Sequence, residues 1–280
     1  MNKKFIRIIP KLDIKNGLLI KGINLEGLRI LGNPNDYIKY YYDNGADEII
    51  YLDNIATLYG VPILNNDIKR AVSKNFIPFV IGGGINKLDD IERVLKSGAD
   101  KVCINSFFVH NPKFINKACK MFGSSTITVL IESNKVDNKH YLTTSNGRDL
   151  IKKNPLDWAK ECEQNGVGEV LLTSVDKEGL QKGFDISITK KISNQLSIPV
   201  IAHGGAGNFL DIYKVISETN ISGVGLSSIL HYDAVNKLGK KTKIGNLDFI
   251  NSLAKKKVNS INNLRNLKLY LKRKGINVRI

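Results

Sequence analysis

The sequence predicts an α/β fold, a (β/α)8 TIM barrel built from two repeated half-barrels. Strand-type and helix-type segments alternate along the 280 residues. The strand-type runs number eight, the count that closes a parallel sheet on itself. The second half of the chain also repeats the first, as two fused half-barrels would.

The strand-type runs cover residues 5–12, 48–53, 77–82, 101–105, 126–132, 169–174, 199–203 and 223–227. Stretches of helical period lie between them, for example 34–44, 88–96, 112–121, 156–165 and 209–218. Asn33-Pro34 and Asn154-Pro155 mark helix starts, because proline in the first turn gives up an N–H that has no intrahelical partner.

The repeat is the strongest of the three observations. Pro34, Asp36, Tyr37, Lys39, Asn44, Gly45 and Glu48 recur as Pro155, Asp157, Trp158, Lys160, Asn165, Gly166 and Glu169, a constant offset of 121 residues. Pro78-Phe79-Val80 with Gly83-Gly84 recurs at that offset as Pro199-Val200-Ile201 with Gly204-Gly205. Asn105-Ser106 returns as Ser227-Ser228, and Asp13 at the end of the first strand matches Glu132 at the end of the fifth. Two stretches break the alternation. Residues 133–148 are polar and are expected to form a small hairpin above the barrel mouth. Residues 234–260 are lysine-rich and read as an insertion before a last helix at about 261–274. The chain is expected to be a single domain over residues 1–280.

Composition narrows the function. A hydrophobic content of 42% suffices for a large core, and no apolar run approaches the roughly 18 residues of a membrane span. Cys103, Cys119 and Cys162 are odd in number and lie in apolar stretches, so they read as reduced thiols of a cytoplasmic protein without metal-ligand spacing. The formal charge of +16 raises anionic partners, but most lysines are scattered over outer helix faces. Neither nucleic acid nor membrane is an expected partner, and no metal or organic cofactor is indicated. His110, His140 and His231 read as surface or packing residues without partners.

Inward and outward positions alternate along a barrel strand, so counting back from Asp13 places Lys11, Ile9 and Arg7 inside. The same parity places Glu132, Leu130 and Thr128 inside. Asp13 and Glu132 should then face each other across the mouth, suited to act as base and acid on one substrate. A buried acid held by a cation, or a simple turn cap, is the alternative for either. Gly83 and Gly84, and in the other half Gly204 and Gly205, let backbone N–H groups approach an anion. Asn105, Ser106, Ser227 and Ser228 sit where helices would begin, which suits phosphate. The expected ligand is a small molecule with a phosphate at each end. At the opposite end, Arg7, Glu48, Lys101 and Glu169 should form a neutral charged ring, either a filled layer or a gate.

At these residues the chain resembles the cyclase subunits of imidazole glycerol phosphate synthase, the HisF family. The likeness rests on Ile8-Ile9-Pro10, Leu12-Asp13, Lys21-Gly22, Gly82-Gly83-Gly84-Ile85, Lys101 to Ser106, Gly168 to Ser174, Gly204-Gly205-Ala206-Gly207 and the tail around Tyr270 and Asn277-Val278-Arg279. The resemblance implies a lyase that takes ammonia from a HisH-like glutaminase subunit, in a heterodimer docked on the bottom face. Ammonia would pass the gate of Arg7, Glu48, Lys101 and Glu169. It would then convert a bis-phosphorylated ribulosyl aminoimidazole-carboxamide into imidazole glycerol phosphate and aminoimidazole carboxamide ribotide, in histidine biosynthesis. Asp13 would be the base and Glu132 the acid, with Lys21, Thr173 and Asp176 joining the glycine loops in holding substrate.

Several positions depart from that family pattern. The acid is Glu132 where the family has Asp. Lys11 replaces a small residue and is expected to pair with an acid, Glu132 being the candidate, or to lose its charge. Asp176-Lys177-Glu178-Gly179-Leu180 lacks the usual hydroxyl, Asn54 follows Asp53, and His203 stands where a Ser precedes the second glycine pair. Gly147-Arg148-Asp149 and Leu180 to Asp185 also resemble second-copy HisF-like proteins of surface-polysaccharide clusters. The alternative function is therefore an ammonia-channelling subunit serving a sugar amidotransferase, without cyclase activity.

Overall fold

The computed structural model describes residues 4–54, 56, 65–73, 75–238, 245–246 and 263–280. Eight parallel strands close into a barrel: β1 (Arg7–Lys15), β4 (Ile49–Asp53), β5 (Phe79–Gly82), β6 (Lys101–Ile104), β7 (Ile127–Val136), β10 (Glu169–Ser174), β11 (Val200–His203) and β12 (Gly223–Leu226). The ring is completed by β12 beside β1 and by β7 beside β10. Strand alternation divides the core in two. Ile8, Tyr51, Phe79, Val102, Val129 and Val170 point outward into the layer beneath the helices. Ile9, Ile50, Val80, Cys103, Leu171 and Ile201 fill the barrel's interior. Because both faces are buried, the strands read as continuous apolar runs.

The described helices are α1 (Pro34–Asp43), α2 (Asn65–Val72), α3 (Leu88–Lys96), α4 (Ser106–His110), α5 (Lys113–Phe122), α6 (Pro155–Gln164), α7 (Ile186–Gln195), α8 (Phe209–Glu218), α9 (Ser228–Leu238) and α10 (Leu264–Arg273). Their starts follow local chemistry. Asn33 and Asn154 cap α1 and α6 by accepting from the N–H of Asn35 and Leu156, at 3.0 and 2.8 Å. Asn208 and Asp211 form a reciprocal capping box on α8. Helix α9 runs on to Leu238, burying Ala234 and Val235, so residues 234–238 belong to a barrel helix rather than to an insertion. Apart from Gly245 and Asn246, the rest of that lysine-rich stretch lies outside the described residues, as do residues 261 and 262 of the expected last helix.

Two antiparallel extensions rise from matching strands. Strand β7 continues past the barrel and pairs with β8 (Lys139–Thr144), which pairs with β9 (Asp149–Ile151), in the stretch expected to form a hairpin. Strand β1 likewise pairs with β2 (Leu18–Ile23), which pairs with β3 (Glu26–Gly32). Both β2 and β3 lie between the segments expected at 5–12 and 34–44, where no element was expected. The Asn16-Gly17 turn, with φ of 51° and 71°, is a hairpin signal that could have found β2. The second turn gives no such signal, because Asn24 and Leu25 occupy positive φ without glycine.

Candidate active site at the barrel mouth

Asp13 and Glu132 both lie at the mouth, each 4% exposed, on inward positions of β1 and β7. Their surroundings differ sharply. Asp13 Oδ1 accepts hydrogen bonds from Lys11 Nζ and, at 2.9 Å, from Asn54 Nδ2. Lys11 therefore pairs with Asp13, not with Glu132 as expected. A lysine two residues earlier on the same face of a strand lies directly below the carboxylate, within reach of its own side chain. Glu132 Oε2 instead accepts the Gly147 N–H at 2.9 Å, from the turn between β8 and β9.

These surroundings separate the two acids. Burial alone would raise the Asp13 carboxyl, but Lys11 and then Lys21 outweigh it and hold it at about 2. Burial pushes Glu132 up to about 7, outweighing the Gly147 N–H and Lys11, which lower it, with Asp13 adding to the rise. Near neutral pH one group is a carboxylate and the other retains much of its proton. That is the division of labour an acid–base pair needs.

Gly83, Gly84, Asn105 and Ser106 line one cleft together with Glu132, Asn54 and Asn146. Gly83 has a φ of 105°, and a Cβ there would stand 2.1 Å from Asp53 O, so the close chain approach requires glycine. The polar side chains at the start of α4 are already engaged. Ser106 Oγ accepts from Ser145 N at 3.1 Å, and Asn105 Nδ2 donates to Thr143 O at 3.3 Å. They hold the β8–β9 turn over the cleft, and because Ser106 Oγ accepts in that bond, its own O–H stays available to an anion beside the backbone N–H groups.

The related cleft in the second half is lined by Gly204, Gly205, Ser227 and Ser228 with Glu178 and His203. Ser227 Oγ donates to Lys11 O at 2.8 Å, so it accepts from His203 Nε2, 3.3 Å away. His203 Nδ1 then accepts from Thr173 Oγ1 at 3.1 Å. Burial, reinforced by Lys11 and Lys21, keeps His203 well below the usual imidazole range. Lys21 is buried and bonded to Glu178 at 2.6 Å, so its charge is already balanced. Asp176 lies on the same loop as Glu178, and its Oδ1 has no hydrogen-bond partner among the described residues.

Asn54, Gly147 and His203 carry site contacts that the sequence reading left unassigned. His231 and His140, read as partnerless, both have partners. His231 Nε2 lies 3.0 Å from Lys11 O, which can only accept, so Nδ1 receives the Tyr41 hydroxyl at 2.6 Å. His140 Nε2 lies 2.9 Å from Asp185 Oδ2.

At the barrel's other end the four charges form a closed ring. Arg7 contacts Glu48 at 2.6 Å and Glu169 at 2.5 Å, and Lys101 reaches each of them at 2.9 Å. Burial alone would raise Glu169, but Arg7 and Lys101 outweigh it and hold it below the usual carboxylate range. Both glutamates are buried and both cations partly exposed, so the ring separates the apolar interior from the bottom surface.

A closed, two-fold (β/α)8 barrel with its polar clefts at the strand C-termini and a charged ring at its base defines the class of protein. Comparison with known proteins identifies the family: the profile described as "Histidine biosynthesis protein" matches residues 7–236, and the chain belongs to that family, among the HisF proteins. It is 47% identical over 203 residues to imidazole glycerol phosphate synthase subunit HisF of Legionella pneumophila, covering 72% of this chain and 96% of that one. The HisF subunit of Staphylococcus saprophyticus is 42% identical, over 86% of this chain and 97% of its own. That of Campylobacter concisus is 38% identical over the full length of both. Nothing in these relatives supports the sugar-amidation alternative. Among the described residues no helix is long and apolar enough to cross a membrane.

Proposed function

We propose that this chain is the cyclase subunit of an imidazole glycerol phosphate synthase, a cytoplasmic lyase acting with a HisH-like glutaminase partner. Ammonia enters at the ring of Arg7, Glu48, Lys101 and Glu169, crosses the apolar interior and emerges between Asp13 and Glu132. There it condenses with a bis-phosphorylated ribulosyl aminoimidazole-carboxamide. The products are imidazole glycerol phosphate and aminoimidazole carboxamide ribotide, with one water released in the condensation. Asp13, the ionised member, takes protons from the reacting centre, and Glu132 supplies one. The two phosphates rest on the backbone of Gly83-Gly84 and Gly204-Gly205, one in each half.

The observation that carries this reading is the unequal acid pair set between two glycine-lined clefts. Apolar side chains around the basal ring support a docked partner. Phe5, Phe76 and Met121, which precede β1, β5 and β7, are 42%, 90% and 61% exposed on that face. The test is ammonia-dependent formation of imidazole glycerol phosphate by the purified chain. Product formation that falls by about 10²-fold or more in Asp13→Asn and in Glu132→Gln is expected. A well-folded chain that binds the bis-phosphate and yields no product would overturn the reading.

A further inference from the structure

The two halves of the site differ in what stands beneath each carboxylate. Two residues below Asp13 on β1 is Lys11, and two residues below Glu132 on β7 is Leu130; both point into the barrel. Lys11 is 2% exposed, and its amine bonds Asp13 above an interior otherwise lined mainly by apolar side chains and Cys103. Resting on the acid–base reading above, we propose that Lys11 is a positioning residue that assigns the two roles. It keeps the negative charge on Asp13 and leaves the proton to Glu132.

The neighbours of each group narrow the cause to Lys11. Asp13 is faced by Lys11 on its own strand, Lys21 on β2, Asn54 after β4 and His203 on β11. Glu132 is faced by the Gly147 N–H, which bonds its Oε2, and by Lys11, Asp13 and Asn105. Lys21 is bonded to Glu178, and His203 is buried and held between Thr173 and Ser227. Lys11 is thus the cation bonded to one carboxylate and not to the other. Protonating Asp13 would leave Lys11 buried without its counter-charge, which costs more than leaving the proton on Glu132.

The proposal is tested by following the two carboxyl groups by NMR. The purified chain would carry ¹³C-carboxyl Asp and Glu, with signals assigned through Asp13→Asn and Glu132→Gln. In Lys11→Met the Asp13 midpoint is expected to rise by about 1–3 pH units, and Lys11→Arg should keep it low. Leu130→Lys, at a half-buried position on the cleft wall, should pull the Glu132 midpoint down by about 1 unit or more. An unmoved Asp13 midpoint in folded Lys11→Met overturns the assignment. If that variant does not fold, an unmoved Glu132 midpoint in Leu130→Lys does so. These titrations need no turnover, so a wild-type chain that makes no product counts against the cyclase reading and not against this one. In the active enzyme, Lys11→Met should also shift the acidic limb of kcat/KM upward at fixed free ammonia. A purely structural lysine would leave that limb in place.

Discussion

The two half-barrels are alike in frame and unlike in charge. Asn44 and Asn165, at the ends of α1 and α6, each turn Nδ2 back onto the carbonyl four residues earlier, both at 2.8 Å. Gly83 and Gly204 hold φ of 105° and 98° at equivalent turns. Yet the matching carboxylates are pushed in opposite directions from the ordinary range, Asp13 down to about 2 and Glu132 up to about 7. Backbone geometry tolerates many side chains and so survives duplication. A buried ionisable group instead takes its state from a few contacts, and the residue two positions below each carboxylate, Lys11 in one half and Leu130 in the other, is among those that differ.

The sharpest way to break this comparison is Asp13→Asn. It removes the base and leaves Lys11 unpaired, so turnover should fall by about 10²–10⁴-fold and stability by about 3–5 kcal/mol. Urea unfolding of Lys11→Met with Asp13→Asn should recover most of that stability while product formation stays lost. Retained turnover in the single variant would remove Asp13 from the chemistry.

Glu132→Gln should cost on the order of 10²-fold in turnover, but its stability effect runs the other way. The folded chain binds the Glu132 proton more tightly than the unfolded chain does, so this contribution is complete below about 4.5. It is lost as pH rises through about 7. Relative to wild type, Glu132→Gln should therefore gain stability between pH 5 and 8, by up to about 3 kcal/mol. Thermal melts across that range would show it, and a constant difference would mean that Glu132 is not held protonated. Wild-type turnover at fixed free ammonia should decline above about pH 7.

Gly83→Ala and Gly204→Ala compare the two clefts. The added Cβ would stand 2.1 Å from Asp53 O in the first and 2.7 Å from Ser174 O in the second, both at positive φ. Each should lose about 1–3 kcal/mol of stability and raise the KM for the bis-phosphate, with the first more affected. Steady-state kinetics with denaturant melts would check both. The smallest effect is the most direct test of the shared frame. Asn44→Ala and Asn165→Ala should each cost about 0.5–1.5 kcal/mol and nearly the same amount; clearly unequal losses in urea would show that the helix ends are not equivalent.

Much of this was legible in the chain itself. The alternation of Ile8 with Ile9 and of Tyr51 with Leu52, the Asn-Pro helix starts and the repeated glycine pairs are local signals. They determined the closed barrel, its two-fold plan and the inward parity of Asp13 and Glu132. Contacts between segments distant in sequence were not legible. Lys21 with Glu178, Glu132 with the Gly147 N–H, and Tyr41 with His231 join residues brought together only when the barrel closes and its hairpins fold over the mouth. The partner of Lys11 lies only two residues away, yet it too was decided by the tertiary structure. Whether a buried amine turns to the carboxylate on its own strand or to the one on β7 depends on which oxygen lies within hydrogen-bond reach, and residue spacing does not contain that distance.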